Sequence, residues 1–350
     1  TSSGDSAKET AYMCQMTSAL DSAARLSVAP MMDWTDRHCR FLHRLLSCRA
    51  LLYTEMVTSP ALVRGGARHL LRFDPAEQPV ALQLGGSDPA ELAQAAIMGA
   101  DEGYSEINLN CGCPSDRVQS GLFGAVLMEK PDLVAQCCVA MIDAQPSEVT
   151  VKCRLGVDDQ VAEDVLPDFL DRIRAVGVRR VTIHARKAWL QGLSPKENRD
   201  IPPLDYDLVM RMKAQFSDMH ISINGGVASL DHAKALLDGG LDGVMIGRAA
   251  YHNPIDILQR ADAVIWGEDV GPDPVQLVLK MRDYIEAHLK DDLGRMTPKL
   301  SQVTKHMLGL FAGQPGARHW RRHLSEHGHR DEAGWSVVED ALAAMDAAAA

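Results

Sequence analysis

The 350-residue chain has no apolar run approaching the roughly 18 residues that a membrane-crossing helix needs, which excludes a helical membrane protein. Residues 1–24 are small and polar with no apolar central stretch, so they do not read as a secretory signal. A flexible leader is expected there. No C-x-x-C pair occurs among the eight cysteines (14, 39, 48, 111, 113, 137, 138, 153), and no histidine stands at zinc spacing from them. No metal site is expected. Free cysteines in apolar segments behave as small hydrophobes, and a reducing cytoplasm is the expected location. No G-x-G-x-x-G follows a β-type run, which leaves a Rossmann dinucleotide site unsupported. Positive charge is in deficit: with a formal net charge of −11, a polyanionic partner would need a local basic surface.

What is present is a repeated alternation. Short β-type runs at 26–30, 51–55, 80–84, 106–110, 148–154, 180–186, 220–224 and 243–247 each precede a helix-like stretch, such as 89–98, 131–144, 165–176 and 229–238. Eight alternations within about 230 residues predict an α/β protein, a (β/α)8 barrel over 25–265, rather than an open doubly wound sheet. Beyond Pro254 the pattern changes. Leu277, Val278, Met281, Ile285 and Leu289 stand at helical spacing, and 301–311, 317–326 and 334–348 also read as helices. A small all-α domain is expected over 272–350.

Barrel strands send alternate side chains to the helices and to the axis. The helix side must be apolar, which sets the phase of each strand. Leu82 and Leu84 leave Gln83 inside; Ile107 and Leu109 leave Asn108 and Asn110. Val149 and Val151 send Thr150, Lys152 and Arg154 inward, and Val181 and Ile183 do the same for Thr182, His184 and Arg186. Ile221 and Ile223 leave Ser222 and Asn224. A barrel built only for stability fills these layers with branched apolar residues. Gln, Asn, Lys and His at the carboxyl ends of several strands predict a site, because active sites in this fold lie at that end.

Asn224-Gly225-Gly226 ends the seventh run and Gly247-Arg248 the eighth. Loops after these two strands commonly bind phosphate through backbone N–H groups, so a phosphorylated ligand such as a flavin mononucleotide is expected. Lys152 suits a Schiff-base lysine, a cation beside a reduced cofactor, or a structural ion pair; the nearby phosphate loops favour the second. His184 faces inward beside it and reads as a ligand contact. Cys111 reads as packed. Cys113 lies between Gly112 and Pro114, whose fixed φ and missing N–H hold a turn open, so it is the better candidate acid.

Together these stretches resemble the tRNA-dihydrouridine synthase family. The resemblance runs through Ala29-Pro30-Met31-Met32-Asp33, Gln83, Asn108 to Ser115, Val151 to Arg154, Ile183 to Arg186, Asn224 to Gly226 and Gly247-Arg248. Lys187 to Arg199, His306 to Phe311 and Pro315 to Leu324 are similar to the A subfamily. Cys111 departs from the pattern, standing where many members carry an apolar residue. The resemblance implies reduction of the uridine C5=C6 bond at positions 20 and 20a of the tRNA D-loop, with NADPH as reductant. It implies tightly bound FMN held by Pro30, Met31, Met32, Gln83, Lys152, His184, Asn224, Gly225, Gly226, Gly247 and Arg248. Cys113 would be the proton donor, Asn110 would contact the target nucleotide, and Arg186, Lys196, Arg199, Arg318 and Arg321 would orient the tRNA.

The charge pattern agrees with an RNA partner. Residues 299–330 hold Lys299, Lys305, Arg318, Arg321, Arg322 and Arg330, against Glu326 alone among the acids. Arg318 and Arg321 are spaced to share a helix face. Three other readings remain open on the residues: a flavin enzyme of free pyrimidines of the dihydroorotate dehydrogenase kind, a Schiff-base lyase through Lys152, and a non-catalytic RNA-binding module.

Overall fold

Each of the eight β-type runs forms a strand in the computed structural model, which describes residues 19–115, 122–291 and 297–349. The strands are β1 (Leu26–Val28), β2 (Leu52–Tyr53), β3 (Val57–Thr58), β4 (Val80–Gly85), β5 (Glu106–Cys111), β6 (Glu148–Arg154), β7 (Arg180–His184), β8 (His220–Asn224) and β9 (Gly243–Ile246). All pair in parallel in the order β1-β9-β8-β7-β6-β5-β4-β2, with short β3 added beside β4. A parallel bridge from Ser27 to Leu51 brings the two ends of that order together. The result is a (β/α)8 barrel.

The predicted phase holds. Leu82, Leu84, Ile107, Leu109, Val151, Val181, Ile183, Ile221 and Ile223 are fully buried. Each contributes about 1.5–3 kcal/mol by leaving water. The helices start and stop where local chemistry dictates. Pro89–Glu102 has Asp88 accepting from the Glu91 N–H, proline at its first position, and Gly103 in the left-handed conformation (φ 105°) closing it. Within it Gly99 lets the helix lie close on the sheet, since a Cβ there would come within 2.6 Å of Leu82 and 2.9 Å of Ile107. Residues 1–18 of the expected leader lie outside the described residues, while Leu20, Ala23 and Ala24 pack with Tyr53, Ala81 and Met245.

At the amino ends of β5, β6 and β7, Arg180 is buried with two acids. Its Nη2 lies 3.0 Å from Glu106 Oε2 and 2.7 Å from Glu148 Oε2. Tyr53 and Thr150 hydroxyls donate to Glu106 Oε1 at 2.8 and 2.6 Å. A charge in such a place is tolerable only when paired.

The chain divides into two units by contact, Thr1–Asp33 with Arg49–Gly247, and Trp34–Cys48 with Arg248–Ala350. The second is helical. Its first piece is the helix Arg37–Leu46, capped by Asp36, which accepts from the His38 and Cys39 N–H groups. Asp36 also pairs with Lys305 and His306, both at 2.9 Å. Burial alone would raise its carboxyl, but these partners hold it well below the carboxylate range. At the other end of this helix, Ser47 and the Cys48 N–H both donate to the Asp262 carboxylate. Pro274–Lys280 and Arg282–Lys290 meet at Met281, and Ala317–His327 packs against Trp335–Ala349. Trp320, Phe311 and Leu324 are buried among them.

Candidate active site

The register of the parallel strands sets the site. Gln83 pairs with Asn108, Asn108 with Thr150, Asn110 with Lys152, Arg154 with His184 and His184 with Asn224. These positions on β4 to β8 are the inward set, gathered toward the carboxyl ends. Lys152 Nζ donates to Asn224 Oδ1 at 3.1 Å, and Asn224 Nδ2 donates to the Met245 carbonyl at 2.8 Å. Asn110 Nδ2 donates to Gln83 Oε1, and Gln83 Nε2 to Asn108 Oδ1, both at 2.8 Å.

Beyond β5 the chain turns around one amide. Asn110 Oδ1 accepts from the Gly112 N–H at 3.1 Å and the Cys113 N–H at 3.0 Å, an Asx turn that aims the following thiol. Cys113 is partly exposed, with Sγ 3.5 Å from Ser115 Oγ. Cys111 is fully buried, and burial pushes its thiol well above the usual range. Arg154, 3% exposed, braces the turn: its Nε donates to the Gly112 carbonyl at 2.9 Å, and its Nη1 to the Lys187 and Asn198 carbonyls. One guanidinium thus ties the loop after β5 to the loop after β7.

Cations dominate this mouth. Burial first, then Arg154, Lys152, Arg186 and Arg199, push His184 well below its usual value, so the imidazole is neutral at pH 7. Burial and Arg154 draw the Lys152 amine down to about 8. Gly225 and Gly226 have φ of 108° and 71°. A Cβ on Gly225 would stand 2.8 Å from His184 Cδ2, and one on Gly226 would stand 2.5 Å from Leu204. The glycines leave a cradle that side chains would fill. The Tyr206 hydroxyl closes its back by donating to the Gly225 carbonyl at 2.6 Å.

The other expected site residues fall in several places. Met31 packs at the barrel's inner cluster and lies 3.6 Å from where a Gly247 Cβ would be; Pro30 is partly exposed and Met32 exposed. Arg186 donates to the Asp200 and Pro202 carbonyls, so it is committed to the loop after β7. Lys196 and Arg199 are exposed on that loop, around the short helix Glu197–Asp200. Buried Asn198 shapes it by accepting from the Trp189 N–H and donating to the Trp189 and Leu193 carbonyls. Arg248 opens the helix Arg248–His252 of the second unit. Arg318 and Arg321 share an exposed face of Ala317–His327, whose other face buries Ala317, Trp320 and Leu324.

Two residues carry more of the geometry than their sequence positions suggested. Strand phase put Arg154 inside, but its three carbonyl partners come from distant loops. Tyr206 opens a helix with no pattern that singles it out.

The chain is similar to known proteins over most of its length. The family model described as "Dihydrouridine synthase (Dus)" matches residues 27–348. The chain is 52% identical over 334 residues to the tRNA-dihydrouridine(20/20a) synthase of Xanthomonas axonopodis pv. citri, covering 95% of this chain and 98% of that protein. It is 52% identical to the protein of that name from Vibrio cholerae, over 92% of this chain and 96% of the other. The Escherichia coli K12 protein of that name is 54% identical over 91% of both chains. With barrel, polar ring and Gly-Cys-Pro turn all falling inside the matched span, the chain belongs to the dihydrouridine synthase family.

Proposed function

We propose that this protein reduces the C5=C6 bond of uridines 20 and 20a in the tRNA D-loop, using bound FMN and NADPH as reductant. The observation that carries the reading is identity of 52–54%, over more than nine-tenths of this chain, to relatives bearing that activity in their names. The site suits it. A cradle that any Cβ would fill, lined by the neutral His184 and following Asn224, to which Lys152 donates, fits a phosphate-bearing flavin. Gln83, Lys152, His184, Asn224 to Gly226 and Gly247 would hold it from the barrel, with Pro30, Met31, Met32 and Arg248 completing the set. Bound there, the flavin supplies the hydride for C6 of the uracil.

The chain's own residues do the rest. Asn110 keeps the turn closed and faces the base, which must leave its stack to reach the pocket. Cys113 gives its proton to C5 on the face opposite the hydride and recovers one from solvent. Lys152 and His184 stabilise negative charge on the flavin or the uracil carbonyls, the histidine as a neutral hydrogen-bond donor. Lys196, Arg199, Arg318 and Arg321 orient the tRNA through its phosphates, the last two from the helix Ala317–His327 of the second unit, while Arg186 shapes the loop that carries Lys196 and Arg199.

Purified protein, NADPH and tRNA lacking dihydrouridine make the direct test. New dihydrouridine at positions 20 and 20a is expected, with a yellow, flavin-containing protein. Colourless protein that forms none would overturn the reading. Replacing Arg318 and Arg321 together by alanine should weaken tRNA binding and reduce the slope of log affinity against log salt by about 2. FMN reduction by NADPH should stay at the parent rate; loss of FMN would give that helix a structural role instead.

A further inference from the structure

A one-way run of hydrogen bonds crosses the barrel interior from the Cys113 turn to its floor. The Cys113 and Gly112 N–H groups donate to Asn110 Oδ1. Asn110 Nδ2 donates to Gln83 Oε1, Gln83 Nε2 to Asn108 Oδ1, and Asn108 Nδ2 to Thr150 Oγ1, each at 2.8 Å. The Thr150 hydroxyl then donates to Glu106 Oε1 at 2.6 Å. Every bond points the same way.

The two ends dictate that sense. A backbone N–H can only donate, so Asn110 must present its oxygen to the turn and its NH2 to Gln83. The same choice then passes down through Gln83 and Asn108. Thr150 must accept from Asn108 and send its own proton onward. The acceptor waiting there is a fully buried carboxylate. Its second oxygen faces the Arg180 guanidinium, which cannot accept, so Glu106 is held in the accepting form.

We propose that Glu106 is a positioning residue: through Thr150, Asn108 and Gln83 it fixes which way the Asn110 amide points, and thereby holds the turn that presents Cys113. Without a terminal acceptor, Asn108 and Gln83 can turn over, and a turned Gln83 sets its NH2 against that of Asn110, opposing the orientation the turn requires. Reversed, Asn110 would set its NH2 against two N–H donors, and the turn would lose both bonds. The chemical consequence rests on Cys113 acting as the acid; the geometric one does not.

Thr150 is where the run can be cut with the Glu106–Arg180 ion pair left in place. Thr150→Val removes the hydroxyl, and Thr150→Ser keeps it. Two rates report the outcome: alkylation of Cys113 by iodoacetamide in the tRNA-free holoenzyme, followed by peptide mass spectrometry, and single-turnover dihydrouridine formation normalised to bound flavin. Thr150→Val should speed alkylation about fivefold and slow the single turnover about tenfold, the scale of one lost buried hydrogen bond. Thr150→Ser should stay within about twofold of the parent on both, which a packing defect at this position would not produce. Glu106→Gln, if it folds, should follow Thr150→Val. Parent-like alkylation in Thr150→Val, or equal changes in the Val and Ser variants, would overturn the proposal. A parent enzyme that makes no dihydrouridine would overturn the proposed reaction alone, since the alkylation rates still decide the geometry.

Discussion

Cys113→Ala should lower single-turnover dihydrouridine formation by about 100-fold or more while leaving FMN reduction by NADPH at the parent rate. General acids contribute roughly 10²–10⁴-fold when held in place. Holding Cys113 in place is what its surroundings do: Asn110 collects the two N–H groups of the turn, Pro114 fixes the next φ, and Arg154 braces the Gly112 carbonyl. The thiols on the adjacent strands β5 and β6 are no substitute. Cys111 and Cys153 are fully buried, with burial pushing the Cys111 thiol well up and the Cys153 thiol to about 12. Rapid-quench measurement on pre-reduced enzyme separates the two half-reactions. Parent-like product formation would remove Cys113 from the proton transfer.

Arg180→Met should cost about 3–5 kcal/mol of stability at neutral pH, the penalty for leaving a buried charge without its partner. Glu106 is fully buried and Glu148 nearly so, and Arg180 Nη2 reaches both. The deficit should shrink on acidification. Burial already raises the Glu106 carboxyl above its ordinary value, and losing the guanidinium, which lowers it, would raise it further. A carboxyl whose folded value exceeds its unfolded one binds its proton more tightly when folded. Stability therefore returns as pH falls and is lost as pH rises through the folded value. Urea midpoints at pH 5 and 7.5 check the sign. A deficit that stays constant between them would show that the loss is one of packing alone.

Much of this was legible in the chain because period-two alternation is a local signal. The apolar partners of Gln83, Asn108, Lys152, His184 and Asn224 announce which side faces the axis, and the strands lie where the runs do. What lay hidden is long-range. Nothing near Asp36 announces Lys305 or His306, and nothing near Arg154 announces Asn198. The charges opening β5, β6 and β7 stand far apart in the chain, yet they meet as the barrel floor. In the helical unit the spacing predicts helix over 301–311, but regular helix stops at Thr304. In the stretch beyond, a Cβ on Gly309 would fall 2.9 Å from the His252 carbonyl oxygen, so the backbone passes close to that segment.

The helical unit is assembled from Trp34–Cys48 and Arg248–Ala350. A ribosome releases the first piece about 200 residues before the second begins, roughly 10–40 s earlier at ordinary elongation rates. Throughout that interval Cys39, Leu42 and Leu46, all buried in the finished molecule, have no later helices to cover them. The barrel's sequence is synthesised while this amphipathic segment waits. The same connectivity decides where the gene can be cut. A fragment starting near residue 272 would lack the helix capped by Asp36 and the partners of Lys305 and His306, so it would not be a miniature of the unit it came from.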